Sequence, residues 1–267
     1  MERHRRTPFA LRVARGARVT VHFLRGVATT VFVFPRVGPE RRHFLIRRWS
    51  GRLLELLRIE TCYDGARLGD LPGNLLVVAN HVSWIDIFVL NSMRPSRFIA
   101  KAELRRWPLA GRLISDCGTL FLERERRRDA HRINLAAREA LSSGATIAIF
   151  PEGTTTDGVD VLPFHASLLQ PVIDARGQVQ PVALRYRGDD GNRSDAPAYV
   201  GETSFLASFW RVLGERRLFV DVTLGPTLLA ETRHRRELSR EAEAFIRTVL
   251  RAPARGSGSG TRDDPRP

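Results

Sequence analysis

From residue 74 to residue 251 short apolar runs alternate with stretches of helical periodicity, and this pattern restricts the fold more than any other feature of the chain. The runs are 74–79 (NLLVVA), 97–100, 118–123 (GTLFLE), 145–150 (ATIAIF), 179–185 (VQPVALR) and 218–224 (LFVDVTL). Each is short and nearly continuous in apolar residues, as expected of strands buried on both faces. Between them lie helical patterns at about 84–93, 102–115, 126–143, 164–175, 203–213 and 235–251. This alternation predicts an α/β fold: a single layered domain whose central sheet is mostly parallel or mixed and flanked by helices. In such sheets ligands bind at the carboxyl ends of the strands, so the residues that follow each run are the candidates for chemistry.

The first sixty residues read differently. The net charge is +14, and residues 1–60 hold 14 Arg and 4 Glu, which is +10 of it. Lys101 is the only lysine, so 42 of 43 basic residues are arginine, a skew expected of a GC-rich bacterial genome. Residues 19–35 (VTVHFLRGVATTVFVFP) form an apolar segment of 17 residues interrupted by His22 and Arg25. A spanning helix needs ~20 mostly apolar residues, and "ATT" is a poor cleavage site for a secretory signal. The segment is therefore expected to be an interfacial or re-entrant helix. In residues 41–58, Leu45, Ile46, Trp49, Leu53, Leu56 and Leu57 share one helical stripe, and Arg41, Arg47, Arg48, Arg52 and Arg58 lie mostly on the other side. Such a helix suits an anionic membrane surface; alone, it equally suits a helix packed on the protein with a solvated basic face.

The expected organisation is membrane-associating helices over 1–60, a catalytic α/β domain over 61–251 and a low-complexity, disordered tail over 252–267. The basic charge is concentrated beside apolar helices, without interleaved aromatics, which points to anionic lipid rather than nucleic acid. Cys62 and Cys117 lack metal-ligand spacing and suggest a reducing compartment. No metal motif is present.

Three strand ends carry polar clusters. After the run at 74–79 come Asn80, His81, Ser83 and Asp86. Histidine is a good general base near neutral pH, and a nearby carboxylate fixes its tautomer. Ser83 and Asp86 also match a capping box, so this stretch alone leaves catalysis and capping both open. After 145–150 comes "PEGTTTDG": Glu152 can accept from a hydroxyl, Gly153 lets a ligand approach the backbone, and Thr154 and Thr155 offer hydroxyls. An ordinary polar turn has the same composition. After 118–123, Arg124 or Arg126 can reach a phosphate at the same edge, or form the basic first turn of a helix. No Gly-x-Ser-x-Gly elbow supplies a serine nucleophile.

Together, "NHVSWID", "GTLFLER", "FPEGT" and "VQPVAL" resemble the glycerolipid acyltransferases related to bacterial 1-acylglycerol-3-phosphate acyltransferase, over roughly residues 74–185. The resemblance implies that His81 is the base and Asp86 its partner. The base takes the proton from a lysolipid hydroxyl, which attacks an acyl thioester directly without an acyl-enzyme. It places Arg124, Glu152 and Gly153 at the acceptor, with Pro181 shaping the pocket; Asn80, Ser83, Lys101, Thr154 and Thr155 are further candidates for acceptor binding beside them. It implies acyl-CoA or acyl carrier protein as donor, no resident cofactor or metal, anionic membrane lipids and a lysophospholipid as partners, and the cytoplasmic face of the inner membrane. The N-terminal segment would then be monotopic or peripheral, with one re-entrant or spanning helix as the limit. Two departures concern the head group. The family often carries Arg after "FPEGT" and Lys shortly after the next "PF"; here Thr155 and His165 stand there. Threonine can hydrogen-bond a phosphate but cannot neutralise it, which opens the acceptor choice to lyso-ornithine lipid, while Arg97, Lys101 and Arg124 remain as cations.

Overall fold

The computed structural model describes residues 7–64, 67–122 and 127–253. Two helices lead: α1 (Phe9–Ala28) and α2 (Pro39–Leu56). Then follow β1 (Ile59–Asp64), β2 (Leu75–Ala79), α3 (Asp86–Met93), β3 (Arg97–Lys101), α4 (Ala110–Asp116), β4 (Leu120–Leu122), α5 (Arg127–Ser142) and β5 (Thr146–Ile149). The remainder is α6 (Gln170–Asp174), β6 (Gln178–Gly188), α7 (Phe205–Gly214), β7 (Leu218–Leu224), the two-residue β8 (Leu228–Leu229) and α8 (Arg235–Arg251).

Among the described residues the strands form one mixed sheet in the order β1-β7-β6-β2-β5-β3-β4, with β8 on β6. The run from β6 to β4 is parallel, and β7 is antiparallel to β6. β2 is central and wholly buried. Its alternate residues feed two cores: Leu75, Val77 and Ala79 join α2, α3 and α7 on one face, while Leu76 and Val78 join α5, α6 and α8 on the other. Covering both faces is what turns the alternation of a half-exposed strand into a continuous apolar run.

The expected elements are present with three changes. The helix expected over 102–115 is divided. Trp107 precedes Pro108 and is held extended, so a 3-10 turn (Ala102–Arg106) comes before α4. The one over 164–175 begins as a 3-10 turn (Ala166–Leu169) that runs directly into α6, whose second residue is Pro171. β1 and β8 were not expected. β1 is an edge strand that mixes Ile59 and Tyr63 with Glu60 and Asp64, and β8 is too short to leave a pattern. Cys62 and Cys117 are free thiols.

The leading helices are docked on the domain. Thr7 donates its N–H to Gly214 at 2.9 Å, and Arg15 donates to the Glu215 carbonyl at 2.7 Å. The His22 ring stacks on Trp49 (centroids 4.8 Å apart), and Trp49 Nε1 donates to the His22 carbonyl at 3.1 Å. Gly26 makes this approach possible: a Cβ there would lie 2.6 Å from Trp49 Nε1. Helical backbone continues past α1 to Arg36, which gives Phe9–Arg36 the length and apolarity to cross a bilayer, longer than the 19–35 segment expected. The stripe on α2 packs inward, with Leu53 and Leu57 buried in the core and Trp49 against it. What α2 turns outward is its arginines and Phe44. The tail beyond residue 253 and the Arg-rich residues 1–6 lie outside the described residues.

Candidate active site

β2 and β5 are parallel neighbours, with Val78 opposite Ile149, so the turns that follow them emerge side by side at the carboxyl edge. The turn after β2 begins with Asn80, which is fully buried. Its side chain accepts from the Leu184 N–H at 2.8 Å and donates to the Leu184 carbonyl at 3.0 Å. Asn80 therefore stitches the end of β2 to β6 and is not presented to an acceptor, contrary to expectation. His81 comes next and turns its ring flat against Phe150, with centroids 3.9 Å apart and planes 8° from parallel.

His81 Nδ1 lies 2.8 Å from Asp86 Oδ2. Asp86 is completely buried, and the same oxygen accepts the N–H groups of Val82 (2.8 Å) and Ser83 (2.9 Å). Its other oxygen accepts the Tyr186 hydroxyl at 2.5 Å. Four donors thus face Asp86, and an acceptor facing Nδ1 places the ring proton there. Nε2 is then the basic nitrogen, on a side chain 19% exposed. The capping box is half formed. Asp86 receives the Ser83 N–H, but the buried Ser83 Oγ meets no hydrogen-bond partner among the described residues. Helix entry instead uses the Asp86 N–H to Ser83 carbonyl bond at 3.1 Å. Ser83 therefore lines the inside of the turn and not the acceptor side.

The turn after β5 grips His81 by its backbone. Glu152 Oε1 accepts the His81 N–H at 2.8 Å, and Oε2 accepts the Leu162 N–H at 2.9 Å. The Thr156 N–H donates to the His81 carbonyl at 2.8 Å. Glu152 is 4% exposed, and burial pushes its carboxyl above the usual carboxylate range against the pull of these two backbone donors. Glu152 is expected to accept from a substrate hydroxyl; in the structure each of its oxygens accepts one of the protein's own amides. Gly153 closes the turn onto the Phe150 carbonyl (3.0 Å) at φ +71°, a conformation that favours glycine.

Thr154 is exposed on this turn. The Thr155 hydroxyl donates to the Tyr199 carbonyl, while the Tyr199 N–H donates to the Val82 carbonyl at 2.9 Å. One loop therefore braces both turns, and the Thr155 proton is engaged away from any acceptor. The chain that follows is strapped to α8: Asp160 pairs with Arg247 (3.0 Å) and Arg251, and the Phe164 N–H donates to Glu243 at 2.9 Å. Those arginines hold the Asp160 carboxyl down at about 2.

Lys101, exposed at the end of β3, lines a cavity of about 70 Å³ with Ile99, Leu122, Phe150, Gly153 and Leu168. Phe150 thus separates this cavity from the His81 ring. Arg97 begins the same strand, at the opposite edge of the sheet, and does not reach this side. Pro181 is buried opposite Val78, below the edge, and does not line the cavity. Arg124 and Arg126 lie outside the described residues. His165 is exposed and donates its N–H to Pro151 at 2.9 Å. Among the described residues no cluster could hold a metal ion.

Tyr186 is the site residue that sequence reasoning missed. It sits in an apolar strand 100 positions from Asp86, and only the strand order, with β6 beside β2, brings the two together.

Comparison with known proteins fits this geometry. A family model described as Acyltransferase matches residues 64–185. A 1-acyl-sn-glycerol-3-phosphate acyltransferase of Neisseria gonorrhoeae is 39% identical over 180 residues, 67% of this chain and 70% of that protein. A lyso-ornithine lipid O-acyltransferase of Pseudomonas aeruginosa is 39% identical over 210 residues, 78% of this chain and 79% of that protein. The crystal structure of the 1-acyl-sn-glycerophosphate acyltransferase PlsC from Thermotoga maritima superposes with a TM-score of 0.65 at 21% identity, covering 90% of this chain and 96% of that one, and shares the fold.

Proposed function

Because the chain belongs to the acyltransferase family, we propose that it is an O-acyltransferase which moves a fatty acyl group from a thioester to the free hydroxyl of a lysolipid, with His81 as the base. The observation that carries this reading is the His81 Nδ1 to Asp86 Oδ2 contact of 2.8 Å at the carboxyl end of β2. With the proton fixed on Nδ1, Nε2 takes the hydroxyl proton as the lysolipid oxygen attacks the thioester carbon. The carbon–sulfur bond breaks as the ester forms, and the imidazolium returns the proton to the departing thiolate. Asp86 stabilises the imidazolium between these steps. Both transfers use one nitrogen, so no acyl-enzyme is required. The donor is acyl-CoA or acyl carrier protein, and the chain's own residues carry the chemistry without a resident cofactor.

The acceptor we favour is 1-acylglycerol-3-phosphate, giving phosphatidic acid, with Lys101 as the cation beside Gly153. A second reading, lyso-ornithine lipid, is supported by Thr155. Where the family often carries arginine, this chain has a hydroxyl already bonded to Tyr199. Membrane contact is supported by the outward face of the helical stretch Phe9–Arg36, where Phe9, Leu11, Val21, Leu24 and Phe32 are exposed, and by the arginines of α2. Leu206 and Trp210 of α7 extend this face beside Phe9. The experiment is a labelled acyl-donor assay on purified protein with both lysolipids, run beside His81→Ala. Ester product that disappears with His81→Ala is expected. Thioester hydrolysis independent of lysolipid, or full transfer by His81→Ala, contradicts the reading.

A further inference from the structure

We propose that Tyr186 is a positioning residue for acyl transfer: its buried hydroxyl holds the far oxygen of Asp86 and so sets the plane of the carboxylate that orients His81. The proposal rests on the reading of His81 as base. Three N–H donors, from His81, Val82 and Ser83, converge on Asp86 Oδ2 at 2.8–2.9 Å. Donors gathered on one oxygen hold one end of the carboxylate. The Tyr186 hydroxyl fixes the second oxygen at 2.5 Å, and two fixed oxygens define the plane.

Tyr186 is suited to this and to little else. It is 3% exposed and lies behind Asp86 as seen from His81, since it binds the oxygen that His81 does not. The hydroxyl therefore acts through Asp86. Burial, and then the charge of Asp86, push the phenol well above its ordinary range, which keeps the proton on the oxygen that donates to Asp86. The strand carrying it is anchored locally: two residues earlier Leu184 makes its paired bonds to Asn80, and the Tyr186 carbonyl accepts from Ser194 at 3.0 Å. β6 thus holds both the backbone entering the catalytic turn and the carboxylate leaving it. A hydroxyl buried against a carboxylate costs desolvation that a phenylalanine would avoid, which gives the pair a reason to exist beyond packing.

The test is Tyr186→Phe, which removes the oxygen and keeps the ring. Turnover with acyl-CoA and lysolipid is expected to fall about tenfold, the scale of one hydrogen bond to a charged group, with the acceptor KM within about twofold because Tyr186 does not meet substrate. In an Asp86→Asn background the same substitution is expected to cost less than about twofold, since its effect passes through that carboxylate. A readout independent of turnover is the low-field proton resonance of His81 Nδ1–H, identified by its loss in His81→Ala, which is expected to move in Tyr186→Phe. If Tyr186→Phe melts below the assay temperature, fluorotyrosine at 186 keeps the packing and alters only the donor, and the resonance must then move. Unchanged kcat and resonance, an equal loss with and without the Asp86 charge, or an effect on KM alone overturns the proposal. Full activity of His81→Ala instead overturns the base assignment, while the resonance still reports on Tyr186.

Discussion

The turns after β2 and β5 look alike in sequence and do opposite work. Each follows a buried parallel strand, each is short and polar, and each holds a buried carboxylate. In the first, Asp86 reaches a side chain and leaves the His81 ring facing outward. In the second, Glu152 reaches backbone and turns nothing reactive outward. The difference teaches that a carboxylate at a strand end is not by itself a site: what it binds decides whether it acts on substrate or on the protein. On the proposed reading the first turn carries the chemistry, and the second is a splint that seizes the backbone of His81 at N–H and carbonyl alike.

Substitutions separate the two turns. The largest effect is expected of His81→Ala, with turnover down by on the order of a thousandfold or more and little change in thermal unfolding or in sedimentation with vesicles. Wild-type turnover would remove the distinction altogether. Asp86→Asn is expected to lower kcat by on the order of a hundredfold or more, by releasing the His81 tautomer. Because four backbone and side-chain donors lose a charged acceptor, it should also lower the unfolding temperature, which His81→Ala should not; equal melting of the two variants breaks the comparison.

Thr155→Arg probes the outer rim of the second turn. Its predicted effect is a several-fold shift in kcat/KM towards 1-acylglycerol-3-phosphate over lyso-ornithine lipid, with kcat on either nearly unchanged, as measured by paired acceptor assays. A large fall in kcat on both acceptors would mean that residue 155 belongs with the catalytic turn. The smallest effect is a pH dependence of stability. Asp160 is lowered in the fold, so its contribution is present above its ordinary range and is lost as pH falls through that range towards about 2. Acid unfolding of Asp160→Asn should therefore begin from a slightly less stable protein at neutral pH and converge with wild type at low pH. Exposure to solvent keeps this difference small.

Much of the architecture was legible because buried strands have no polar alternation to hide behind, and six of the eight strands announced themselves as apolar runs. β1 did not, since an edge strand tolerates Glu60 and Asp64. Pro108 broke a helix whose apolar spacing ran through it. At the site, the spacing of His81 and Asp86 was readable because a tight turn returns i+5 to i. Tyr186 was not, because its partner is reached through strand order. The partners of Glu152 were not legible for a related reason: composition shows a carboxylate near a ligand edge but not which amides it faces. On α2 the stripe was found correctly, and only packing could say that its neighbour is the protein core.

The central claim, that the second turn acts on catalysis through the backbone of His81, is tested most directly by kcat and acceptor KM of Glu152→Ala. The account predicts a fall in kcat on the order of tenfold to a hundredfold, an acceptor KM within about twofold, and a loss of stability of ~1–3 kcal/mol for each buried amide left unpaired. A raised KM with kcat unchanged would place Glu152 on the acceptor and contradict it.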